Sequence, residues 1–62
     1  MIKLTRFNGS NLFVNEELVE MVEHTPDTVL TFVSGRKLLV KEDIVGIITK
    51  IREYKDAIFQ GE

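Results

Sequence analysis

The chain has no cysteine, one proline and one histidine. Without cysteine there are no disulfides and no thiolate zinc sites, the usual staples of a very small fold. The lone His24 falls short of the three or four ligands a metal site takes, and Glu20 and Glu23 beside it read as solvated strand charges. Apolar runs are a few residues long, against the ~20 a spanning helix needs, so no membrane insertion is expected. There is no excess of positive charge: the formal balance is -2, and no net basic field draws nucleic acid or anionic lipid. Gly9 and Gly35 stand alone in expected hairpins rather than in a phosphate-cradling run. Ser10 and Ser34 fall in turns, with no oriented base to make either a nucleophile. The carboxylate pairs Glu16-Glu17 and Glu42-Asp43 sit where a turn or a helix start would want them. So small a chain also leaves little room for a ligand pocket. We expect no enzyme, no cofactor, no metal and no small-molecule substrate.

What is present is a chain of 62 residues, 44% hydrophobic and 29% charged. That composition is globular rather than disordered, and the length allows one domain, residues 1–62. A domain of this size hides only roughly 60% of the surface its unfolded chain exposes. Stability must then come from a compact core, from self-association as a homo-oligomer, or from both. The first residues, Met1 to Arg6, carry no apolar h-region and no small-residue cleavage site, which fits a cytoplasmic protein.

Ile2 and Leu4 alternate with Lys3 and Thr5, the mark of a half-buried strand. Asn8-Gly9 accepts the backbone angles of a tight hairpin, and Leu12-Phe13-Val14 returns. Asn15 to Glu17 reads as a turn and Leu18 to Thr25 as a strand, although Asn15 as a cap and Leu18/Val22 spacing also fit a helix. Thr25-Pro26-Asp27-Thr28 is a reverse turn feeding the β-branched and aromatic strand Thr28 to Val33. Ser34-Gly35 turns the chain into a fifth strand, Arg36 to Lys41, with Leu38 and Val40 inward. From 43 to 59 a helix is expected, capped by Asp43 or Glu42, with Ile44, Ile47, Ile48, Ile51, Tyr54 and Ile58 as its apolar stripe and Gly61 past its end. The fold class is α+β: an antiparallel meander of about five short strands over residues 2–41, curling toward a barrel, with one C-terminal amphipathic helix.

Two surfaces follow from this layout. Phe13, Met21, Phe32 and Leu39 fall on alternations opposite to some of their apolar neighbours. They are expected either to fill a barrel interior or to form a partner or self-association surface. Lys3, Arg6, Arg36, Lys37 and Lys41 lie in the strand half, and merge into one basic patch if the first and fifth strands are neighbours. Small β-barrels bind RNA through such patches, so an RNA-binding regulatory protein is the alternative reading. Against it stand the missing aromatic stacking positions and the acidic strip of Glu16, Glu17, Glu20, Glu23 and Asp27.

Ile2-Lys3-Leu4-Thr5-Arg6-Phe7-Asn8-Gly9 resembles the opening of the small flagellar FlbD/SwrD family. Thr25-Pro26-Asp27-Thr28, Ser34-Gly35-Arg36-Lys37, Val40-Lys41-Glu42 and the isoleucine-rich helix follow in that family's order, from Ile2 to about Ile58. Each motif is a turn or an amphipathic element, and the specificity lies in their ordered combination. A transcriptional activator shares the name FlbD, but this chain lacks the ATPase and DNA-binding domains such an activator needs. The resemblance implies a non-enzymatic flagellar accessory protein that supports motor function during swarming by acting on the motor or its stators. It also implies a place in the cytoplasm beside the basal body at the inner membrane. The resemblance carries no catalytic residues, and Asn8, Gly9, Pro26, Asp27 and Gly35 match as turn formers. One departure is Glu16, where proline or a small residue is expected after Asn15, and this strengthens the helical alternative for Asn15 to His24.

Overall fold

The computed structural model describes the backbone of residues 1–60 and the side chains of residues 1–57. Five antiparallel strands in two sheets are followed by one helix. Strands β1 (Ile2–Thr5) and β2 (Asn11–Val14) form the first hairpin, in the register Ile2↔Val14 and Leu4↔Leu12. Strands β3 (Val19–His24), β4 (Thr28–Phe32) and β5 (Lys37–Val40) form the second sheet, with β4 central. Helix α1 spans Ile44–Gln60. The sheets do not close into a barrel. They meet through one bridge, Arg6↔Val40, reinforced where the Lys41 N–H donates to the Thr5 carbonyl at 2.9 Å.

Both hairpin loops share one hydrogen-bond frame. The Arg6 N–H donates to the Ser10 carbonyl at 2.8 Å and the Gly9 N–H to the Arg6 carbonyl at 2.9 Å. The Phe32 N–H likewise donates to the Arg36 carbonyl, and the Gly35 N–H to the Phe32 carbonyl, each at 2.8 Å. These are three-residue loops, Phe7 to Gly9 and Val33 to Gly35, each closing on a glycine in the left-handed region (φ +91° and +92°). A type I turn completed by a left-handed residue gives this geometry, and glycine enters it without a Cβ clash. Asn8 Oδ1 and Ser34 Oγ support the loops by accepting from the backbone N–H two residues on, at 2.9 and 3.4 Å.

The stretch with two readings contains both in succession. Asn15 caps a single 3₁₀ turn, Glu16–Leu18, its Oδ1 accepting from the Glu17 N–H at 3.1 Å, and the strand begins only at Val19. The pairing then shifts between Val19 and Met21. This irregularity lets Val19 and Val22 both pack on the core, which strict alternation forbids.

The core is Ile2, Leu4, Val14, Leu30, Val40 and Ile47, with Leu12, Val22, Leu38, Ile51 and Tyr54 packed around it. One line of the helix, Ile47, Ile51 and Tyr54, covers the sheets. Ile48 is 49% exposed, because it lies about 100° around the axis from Ile47 and the strands are too few to reach it. The side chain of Ile58 and residue Gly61 lie outside the described residues. Of the two expected caps, Asp43 takes the helix end, its Oδ1 accepting from the Gly46 N–H at 2.7 Å. Glu42 turns back instead and accepts from the Thr5 N–H at 2.9 Å and the Thr5 hydroxyl at 2.8 Å, tying β1 to the start of the helix.

Candidate functional site: an apolar groove with a basic rim

The two sheets touch at Arg6↔Val40, and an open groove of about 330 Å³ separates β2 from the β4–β5 hairpin. Leu12 and Val14 come from β2, Leu18 from the 3₁₀ turn, and Phe32 and Leu38 from the second sheet. These apolar side chains make the floor; Arg6 and Arg36 stand beside it, and Lys37 borders it from a strand position opposite Thr31, on the outer side of the sheet. No carboxylate among the described residues lines the groove. The only ion pair among the described residues is elsewhere, so no described carboxylate neutralises any of the three cations.

The five basic residues of the strand half are thus divided. Arg6, Arg36 and Lys37 share the groove. Lys3 lies on the outer face of the first hairpin, paired across the strands with Phe13. Lys41 borders a separate cleft with Phe7, His24, Asp27, Thr28 and Val40. The four apolar residues are divided too. Phe32 is half-buried, packs on the core and lines the groove. Phe13, Met21 and Leu39 are 65%, 45% and 46% exposed. Met21 lies opposite Thr31 and Leu39 opposite Val29, on the outer face of the second sheet, while Phe13 belongs to the other hairpin. Sequence reasoning did not find Leu12, Leu18 and Leu38 as a groove floor, because their meeting depends on how the two sheets are set together. It had one unused signal. Phe7 and Val33 are apolar residues at equivalent places in two tight loops, and both are exposed.

The electrostatics away from the groove are structural. The buried Glu16 carboxylate meets the Met1 ammonium at 2.8 Å, and its Oε1 has no hydrogen-bond partner beyond that ion pair among the described residues. Hydrogen bonding to the ammonium lowers the Glu16 pKa, and the same bond raises that of the ammonium. Burial acts to raise the Glu42 pKa, but the backbone and hydroxyl hydrogen bonds from Thr5 outweigh it and the net shift is downward. Among the described residues no three of His, Asp and Glu are gathered to hold a metal ion. No described helix is long and apolar enough to cross a membrane.

The groove combines apolar contact area with basic side chains at its edge, while the Glu16, Glu42 and Asp43 carboxylates are engaged elsewhere in the fold. Neither the curated proteins nor the solved structures contain a match to the chain. The family model for flagellar and swarming motility proteins does match it, over residues 1–59. A match of that extent covers every strand and nearly all of the helix, and the chain belongs to the FlbD family of flagellar and swarming motility proteins.

Proposed function

We propose that this member of the family is a non-enzymatic interaction module that supports the flagellar motor, through its stators, during swarming. It would act in the cytoplasm beside the basal body. The observation that carries the reading is the apolar surface left open on so small a chain. Phe7, Phe13, Leu18, Met21, Val33, Leu39, Val45 and Ile48 all remain exposed although the core is complete without them. They fall on several faces, among them Leu18 and Val33 at the groove and Met21 with Leu39 on the outer face of the second sheet, and large exposed apolar patches mark interaction surfaces. A second copy of the chain is one candidate to cover part of it.

The test is swarming and single-motor torque in a strain lacking the gene, with and without complementation. The expected result is a loss of torque with flagella still assembled, restored by the gene. Normal torque and normal swarming would sink the motor reading.

A further inference from the structure

We propose that the groove between the two sheets is a docking site for a short, acidic, amphipathic segment of a partner protein. Its bulky apolar side chains would lie on Leu12, Leu18, Phe32 and Leu38, and its carboxylates would face Arg6 and Arg36, with Lys37 at the outer edge of the groove. The proposal deepens the interaction-module reading and rests on it.

Charge complementarity selects this occupant. The chain as a whole carries a net charge of -2, yet the groove is lined by three cations and, among the described residues, by no anion. An acidic segment is therefore repelled by much of the surface and drawn to this place, which sets orientation and raises the rate of encounter. The cations come from separate parts of the chain, Arg6 from the end of the first hairpin and Arg36 and Lys37 from the second. They converge only because the sheets meet at Arg6↔Val40. Among the described residues no carboxylate is paired with them, which leaves their charge to meet a partner's carboxylates. The floor adds what charge alone lacks. Leu18 and Val33 are exposed at its border and Phe32 and Leu38 are half-buried within it, giving apolar contact flanked by polar groups, as in protein interfaces. Nucleic acid fits less well. Base stacking needs open aromatic faces, and the single aromatic of the floor, Phe32, is packed on the core.

The test uses the full chain, isotopically labelled, and three probes. Two are short peptides with the same leucine spacing, one with glutamates and one with lysines on the polar face, and the third is an oligouridylate. The glutamate peptide is expected to bind, with amide shifts centred on Leu18, Phe32, Arg36, Lys37 and Leu38. Arg36→Glu with Lys37→Glu should weaken it roughly ten-fold or more, and Arg6→Glu, from the other hairpin, should weaken it as well. Both variants alter exposed side chains, and their amide spectra report directly that the fold is kept. Phe13→Ser, outside the groove, should bind as the parent does. Any of four results would overturn the proposal: no binding of the glutamate peptide, equal binding of the lysine peptide, shifts on the Met21 and Leu39 face, or tighter binding of the oligouridylate in the groove. Failure of the motor reading is separate, since normal torque in the deletion strain leaves the peptide result standing.

Discussion

At the scale of single residues, Thr31 is the position where burial and hydrogen bonding disagree. It lies in the central strand between Met21 and Lys37 and is 7% exposed, and its hydroxyl has no partner among the described residues. A buried hydroxyl without a partner carries a desolvation cost that a methyl group does not. Thr31→Val keeps the branched shape and the strand preference, and should stabilise the fold by about 1 kcal/mol. Urea unfolding checks this: the midpoint should rise with an unchanged slope. A fall in the midpoint would show that the hydroxyl is bonded after all. Nothing in the sequence marks Thr31 out from Thr28, since both sit in one β-branched run. That Thr28 to Val33 forms a strand was legible. That an outward residue would be buried was not, because it depends on the long side chains the neighbouring strands bring beside it.

At the scale of elements, the two hairpins are the best-determined parts of the chain. Asn8-Gly9 and Ser34-Gly35 each announce a turn, and each glycine occupies the left-handed position its loop requires. Open space surrounds both, so a Cβ there meets nothing and the cost of substitution is one of backbone conformation alone. Gly9→Ala and Gly35→Ala should each destabilise by about 1–2 kcal/mol, and asparagine at either site should cost less. Thermal unfolding of the four variants is the check, and equal stability of alanine and glycine forms would refute the assignment of these loops. The helix was equally plain from its isoleucine spacing. Its cap was not, because Glu42 and Asp43 are both good capping residues and only the position of Thr5, far away in sequence, assigns Glu42 to another partner. Residues 15 to 24 were ambiguous for a related reason. Their local preferences favour a helical start, and pairing with β4 stops it after one turn.

At the scale of the whole molecule, the carboxylates that join distant elements make stability depend on pH. Glu16 and Glu42 both have folded-state pKa values below the ordinary 4.5. As pH falls through that value the unfolded chain takes up protons before the folded one. Their contribution is therefore complete above it and is lost as pH falls through the lowered folded values. The Met1 ammonium has the opposite sign: its folded pKa is raised above 8.0, so its contribution is complete below that value and is lost as pH rises through the raised one. Unfolding free energy should form a plateau between about pH 5 and 8, with a decline on each side. Glu42→Gln should lower the plateau and flatten the acid decline, measured by urea midpoints from the plateau down through the acid limb. An acid limb as steep as the parent's would show that Glu42 is not among the groups responsible. The groove belongs to this scale too. Its cations and its leucines are visible in the sequence one by one, and the five basic residues of the strand half merge into one patch only on the condition that the first and fifth strands are neighbours. Three of them share the groove, and Lys3 and Lys41 lie elsewhere.

Local rules were enough for the meander, the hairpin glycines, the helix and the inward residues Ile2, Leu4, Val40 and Ile47, because turn chemistry and apolar period act over a few residues. Which residues form a surface was decided by tertiary structure. A single bridge, Arg6↔Val40, joins the two sheets, and the groove beside it collects Arg6 with Arg36 and Lys37. One irregularity in β3 turns Val19 and Val22 to the same side. Both depend on contacts between residues far apart along the chain, and a periodicity read along one strand has no term for the strand beside it.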